Sequence, residues 1–196
     1  MTIKERIDDF TSFVTNFVSV INKEAKLDKL ILQNKEFMDY LTDGGFFTAP
    51  ASTKYHGAYE GGLYDHSKAV TKRLIMLTVK LDLEWQRVES PFIVGMFHDL
   101  CKCDQYVKKE PGLGLGYEEP QYEYNENMLL KGHGDKSVML LSRFMTLTEE
   151  EILCIRYHMG AYEQDDWKGF DAAIKKFPTV LFCHLADQLA SKVDGL

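Results

Sequence analysis

The sequence predicts an all-α fold, and three observations carry that prediction. Apolar residues recur at helical spacing in segment after segment. Ser, Thr, Asp, Pro and Gly fall where helices should start and stop. Residues 104–127 break the helical period, with three glycines and alternating tyrosines that suit a loop or hairpin insertion at most.

The elements follow in order. Phe10, Phe13, Val14, Phe17, Val18 and Ile21 make one face of a first amphipathic helix, with polar residues between them. A second, short helix is expected over 28–41, ending at Asp43-Gly44-Gly45. Residues 46–62 are a loop bearing Gly and Pro. Beyond it His66, Val70, Leu74, Leu77 and Leu81 share one helix face at steps of four and three. Ser90-Pro91 reads as an N-cap followed by a first-turn proline. The helix behind it, through Phe92, Ile93, Val94, Met96 and Phe97 to His98-Asp99, is apolar all round and should be central. Asp135 can cap a helix carrying Val138, Leu140, Leu141 and Phe144. Thr148-Glu149-Glu150-Glu151 is a capping box whose helix should run to His158 and stop near Gly160. Pro178 can open a last helix over 178–192. These elements are expected to form a single domain over 1–196, with 1–45 an N-terminal helical segment packed on a core formed by 46–192.

Composition narrows the class. The chain has 196 residues, 45% of them apolar, enough to bury a core without disulfides. Thirty acidic against 23 basic side chains give a net charge of −7, which counts against an extended nucleic-acid surface. Neither a signal-peptide core nor an apolar run long enough for a membrane span is visible. Cys101, Cys103, Cys154 and Cys183 lack zinc-knuckle or secreted-disulfide spacing. Buried thiols and a cytoplasmic location are the expectation.

The chemistry lies where polar groups interrupt apolar stripes. His66, His98, Asp99, His158 and Asp187 each do so, and His133 precedes a helix start. A buried carboxylate needs a cation or several donors. Imidazoles and carboxylates converging from different helices are what a borderline divalent cation takes as ligands.

The same residues carry a resemblance. The order His66, His98-Asp99, His133, His158, Asp187 resembles the HD superfamily of metal-dependent phosphohydrolases, over about residues 46–192. The stretch His56-Gly57-x-Tyr59-x-Gly61-Gly62-Leu63-x-x-His66 is similar to the HD domain of certain bacterial 3′→5′ exoribonucleases, without their OB-fold. The full set, with Gly132-His133-Gly134, Tyr157-His158-Met159-Gly160 and His184-Leu185-Ala186-Asp187, is more similar to stand-alone HD proteins of bacteria and phages. The resemblance implies an HD-type helical bundle. It also implies His66, His98, Asp99 and Asp187 as a ligand core, His133 and His158 as the extra pair of the dinuclear branch, and Asp99 as a bridge. Lys102 matches the lysine of the family's H-D-x-x-K pattern, four residues after His98. Cys101 stands where cyclic-dinucleotide enzymes of the superfamily usually have Gly, and their Gly-Tyr-Pro signature is absent.

The expected activity is hydrolysis of a phosphomonoester or phosphodiester, of a nucleotide or a short nucleic-acid end, by hydroxide held on two divalent cations (Mn, Fe, Ni, Zn or Mg). Asp99 and Lys102 are the expected catalytic residues. Lys102 and His56 are candidates for binding the substrate phosphate, and His184 is a candidate for supporting the ligands. The tyrosines of 104–127 are candidates to stack a base or form a lid. A homo-oligomer is compatible with this reading. Two other readings use the same residues: a regulatory domain that binds nucleotide and metal without turnover, and a di-iron oxygenase of the same fold.

Overall fold

The computed structural model describes residues 1–20, 26–109, 122–161 and 166–196. Ile21, Gly112, Gly114, Gly116 and Tyr117 lie outside them. The chain is mostly helical, as its periodicity predicts, with one two-stranded antiparallel sheet among the described residues.

Helix α1 (Ile3–Val20) buries Phe10, Val14 and Phe17. Phe10 is the hub of an aromatic cluster, edge-on to Phe46, Phe47, Tyr64 and Phe97 at 5.6–6.4 Å between ring centres. The single helix expected over 28–41 is two pieces. A widened π turn over Asp28–Leu32 ends at Gln33, and α2 (Lys35–Asp43) restarts behind Asn34, whose side chain accepts from the Phe37 N–H. An Asn competes with the backbone for hydrogen bonds, so it caps a new helix rather than continuing the old one.

Helix α3 (Gly62–Leu81) follows the glycine-bearing loop and buries His66, Val70 and Leu74; Leu81, at its end, is exposed. It packs most closely on α4 (Ser90–Phe97), every residue of which is buried. The crossing is tight at Gly95, where an added Cβ would stand 2.6 Å from the Thr71 Cα. Ser90 is not the cap expected there. Its hydroxyl donates to Glu151 instead, and Pro91 occupies the first turn as predicted.

The helical winding tightens after α4. His98 is the last residue with helical dihedrals, Asp99 leaves them, and Leu100–Cys103 is a 3₁₀ turn. Strands β1 (Tyr106–Lys108) and β2 (Tyr122–Tyr124) then pair, Tyr106 opposite Tyr124. The expected hairpin is present, and residues 110–121 of it lie outside the described residues.

Helix α5 (Gly134–Leu141) has His133, not Asp135, at its N-cap position; Asp135 pairs with Arg156 at 3.0 Å. Phe144 lies beyond its end, stacked on Phe37. The capping box forms at α6 (Glu149–Arg156), with Thr148 and Glu151 exchanging bonds. That helix stops two residues short of His158, which sits in the turn before Gly160 (φ +70°). Helix α7 (Trp167–Lys176) has no counterpart in the elements read from the sequence. Its signal was present: Asp166 caps it, and Phe170, Ala173, Ile174 and Phe177 recur at helical steps. Helix α8 (Thr179–Gln188) starts behind Pro178 and continues as π turns over Leu189–Asp194. It packs on α3, α6 and α7, bringing Asp187 to the middle of the bundle.

Cys101, Cys154 and Cys183 are buried free thiols, and Cys103 is half-buried. No helix among the described residues is long and apolar enough to cross a membrane.

Candidate metal centre

Six side chains from separate places in the sequence meet at one point. α3 supplies His66, the end of α4 supplies His98 and Asp99, and the start of α5 supplies His133. The turn after α6 supplies His158, and α8 supplies Asp187. All but His133 are buried to 5% exposure or less.

Asp99 is the centre of the arrangement, and its two oxygens face different imidazoles. Oδ2 lies 3.5 Å from His66 Nε2 and 3.3 Å from His98 Nε2. Oδ1 lies 3.0 Å from His133 Nε2 and 3.3 Å from His158 Nε2. Asp187 completes the first side, with Oδ1 at 3.1 Å from His66 Nε2 and 3.8 Å from His98 Nε2. The potential ligand atoms of His66, His98 and Asp99 lie within 4.8 Å of one another, as do those of Asp99, His133 and His158.

Tautomers decide what this arrangement wants. His66 Nδ1 meets the Leu196 carbonyl oxygen at 2.8 Å, His98 Nδ1 that of Gly95 at 2.9 Å, and His158 Nδ1 that of Ile155 at 2.7 Å. A carbonyl only accepts, so each Nδ1 must donate, and each neutral ring turns the lone pair of Nε2 inward. These lone pairs face carboxylate oxygens, which also only accept. All four Nε2 atoms and Asp99 Oδ1 lack a hydrogen-bond partner among the described residues. At His66, His98 and His158, buried acceptors facing acceptors call for a cation between them, and imidazole with its far N–H tied to a carbonyl is the usual way a protein holds one. These buried His and Asp clusters can therefore bind a metal ion.

Electrostatics agree. Burial alone would push the Asp99 carboxyl up, but the Lys102 ammonium, with His98 and His133, overrides it and holds Asp99 well below the usual carboxylate range. Burial likewise opposes ionisation of Asp187, and its contact with His66 overrides that. Burial lowers His133 too, yet Cys101 and Asp99 beside it push the ring up to about 9. The pocket gathers positive charge from whatever source is at hand.

Lys102 turns to the same side as His98, four residues before it, and both heads reach Asp99 Oδ2. The 3₁₀ turn carries it three residues on from Asp99, and its Nζ lies 2.6 Å from Asp99 Oδ2. His56 enters from the 46–61 loop, which is folded back by Ala51 N–H donating to Gly57 O and Ser52 Oγ to His56 O, each at 2.8 Å. Its ring stands 4.9 Å from that of His66, and burial pushes its pKa down to about 4, so it is neutral near pH 7.

Two residues support the ligand rings, of which only His184 was a candidate for that role from the sequence. Cys101 Sγ lies 3.2 Å from His133 Nδ1, in the place a carbonyl takes for the other three ligands. His184 donates from Nδ1 to the His158 carbonyl at 2.7 Å and packs edge-on against Phe170.

Comparison with known proteins adds one match. Over 67 residues the chain is 39% identical to a dihydroneopterin 2′,3′-cyclic phosphate phosphodiesterase of Methanocaldococcus jannaschii. The match covers 33% of this chain and 27% of that protein, so the chain spans about a quarter of the length of this relative. No protein-family model and no solved structure matches.

A cleft of about 440 Å³ opens above the centre, lined by His56, Lys102 and His133 and, further along the chain, by Gln105, Tyr106 and Tyr124. A reacting group therefore has a way in to the buried ligands.

Proposed function

We propose that this protein is a metal-dependent phosphohydrolase that cleaves a phosphomonoester or phosphodiester, of a nucleotide or a short nucleic-acid end, at a dinuclear site of the HD type. The observation that carries the reading is Asp99, with each oxygen turned to a separate pair of inward-facing imidazoles under an open cleft. The partial relative supports it, being named a phosphodiesterase acting on a cyclic phosphate.

His66, His98, Asp99 and Asp187 would hold one cation, and Asp99, His133 and His158 the other. Divalent cations bound there supply Lewis acidity toward phosphoryl oxygens and make water more acidic. The chain's own residues do the rest. Asp99 ties both ligand sets to one carboxylate and fixes their spacing. Lys102 lines the cleft and carries charge to where phosphoryl oxygens become more negative in the transition state. His56, neutral and beside it, can donate a hydrogen bond to a bound phosphate. The carbonyl-tied rings are preorganised, so they need no rearrangement when a ligand binds.

The test is direct. The protein is stripped with chelator, reloaded separately with Mn, Fe, Ni, Zn or Mg, and offered nucleotides, nucleoside 2′,3′-cyclic phosphates, dihydroneopterin cyclic phosphate and short oligonucleotides. Hydrolysis should require metal and be abolished in His98→Ala and Asp99→Ala. Bound metal should fall from two per chain to one in a His133→Ala/His158→Ala variant. Loaded wild-type protein that turns over nothing in this panel would overturn the reading.

A further inference from the structure

The cleft joins two chemistries that the metal centre alone does not need. Lys102, His56 and His133 suit a phosphate. Gln105, Tyr106 and Tyr124 line the same cleft and have no part in holding metal. Tyr106 and Tyr124 are cross-strand partners, with rings 5.3 Å apart and inclined at 61°. Tyr124 is nevertheless 56% exposed, an aromatic surface held in place by its neighbour and left open to solvent. The hairpin root beneath it is well fixed. Asn125 N–H donates to Gln105 O at 3.0 Å, Asn125 Nδ2 to Asp104 O at 2.9 Å, and buried Lys136 pairs with Asp104.

Gln105 supplies the second observation. Its Nε2 donates to the Tyr106 hydroxyl at 3.2 Å, which fixes the amide's orientation. Its Oε1 is buried and has no hydrogen-bond partner among the described residues. A buried amide oxygen is costly to leave unpaired, so a ligand bearing an N–H donor is favoured beside it. An open aromatic face next to a fixed acceptor is the recognition chemistry of a flat nitrogen heterocycle, which stacks on the face and donates from its edge.

We propose that Tyr124, Tyr106 and Gln105 form a ring-binding subsite for an amino-bearing nucleobase carried by the phosphate ester. The phosphate end of this assignment rests on the phosphohydrolase reading; the ring end rests on the hairpin alone. The subsite makes the enzyme selective for nucleotides over simple sugar phosphates. Tyr124 and Gln105 act on affinity and not on the bond being broken.

Calorimetric binding of AMP and of ribose 5-phosphate to the full-length, metal-loaded protein tests this. Wild type should bind AMP about tenfold more tightly or better, the range of base–aromatic stacking. Tyr124→Ala should remove most of that preference, Tyr124→Phe should keep it, and Gln105→Ala should reduce it. Circular dichroism checks that each variant is folded. Equal affinity for the two ligands in wild type, or a preference unchanged by Tyr124→Ala and Gln105→Ala, would overturn the subsite. Phosphate release from the same samples reports on the parent reading. A preference that follows Tyr124 without any turnover upholds the subsite while hydrolysis falls. Turnover at equal kcat/KM for both ligands upholds hydrolysis while the subsite falls.

Discussion

His184 donates a hydrogen bond from Nδ1 to the carbonyl of His158, 2.7 Å away and 26 residues earlier in the chain. His158 lies beyond the end of α6, in the turn before Gly160. The bond from α8 ties that turn to the bundle, and Gly160 leaves room for the ring, since an added Cβ would stand 3.3 Å from His184 Cε1. His184→Ala should free the His158 turn and weaken the cation seat of His133 and His158 by about 10–100-fold, the usual cost of losing a ligand's support. The seat of His66, His98 and Asp187 should be less affected. A two-step metal titration by calorimetry reads the two separately.

Lys102 and a cation compete for Asp99 Oδ2. Without metal, the lysine is the carboxylate's buried counter-ion, and removing it strands a charge. Lys102→Met should cost the metal-free protein about 3–5 kcal/mol, the range for breaking one side of a buried ion pair. With metal bound, the deficit should shrink because the cation takes over the neutralising role. Urea denaturation in chelator and in saturating Mn would show the two values, and equal losses in both would contradict the competition.

Gly95 permits the close crossing of α3 and α4 that brings His98 to His66. Gly95→Ala should destabilise the fold by about 1–3 kcal/mol, the usual cost of overpacking. It should weaken metal binding as well, because the helix bearing His98 must move away from Thr71. A variant that loses stability but keeps full metal affinity would show that the strain is absorbed elsewhere.

Asp9 ties α1 to α3. Its carboxylate takes a hydrogen bond from the Tyr64 hydroxyl at 2.6 Å and pairs with Lys68. Partial burial raises its pKa, but Lys68 and Tyr64 override that and lower it. A depressed native value means the stabilisation is present above about pH 4, the unfolded value, and is lost as pH falls through the native one. Asp9→Asn should therefore be less stable than wild type at neutral pH, and the gap should close on acidification. Thermal melts from pH 7 to pH 3 measure it.

The parts legible in the sequence are those fixed by local periodicity. The faces of α1 and α3, the wholly buried α4 and the Thr148–Glu151 box are written in residues three and four apart. Five of the six candidate ligands were legible because each is a polar group where the period calls for an apolar one; His133 was legible only from its place before a helix start and from the resemblance. The ion pair of Lys102 with Asp99 was not, because the change to 3₁₀ winding after Asp99 is not signalled by spacing. The contact of Cys101 with His133 and that of His184 with His158 join segments 32 and 26 residues apart through the packing of the bundle. Helix α7 was missed although its face was present, since Lys168, Asp171, Lys175 and Lys176 dilute a short apolar stripe.

Because one carboxylate faces both sets of imidazoles, the two seats of the proposed dinuclear site would be a single thermodynamic object. A cation drawing on Asp99 Oδ2 alters the charge left on Oδ1, and the reverse holds by the same factor. Occupancy of the pair would therefore be a coupled equilibrium, in which the affinity measured for either position is defined only with the state of the other.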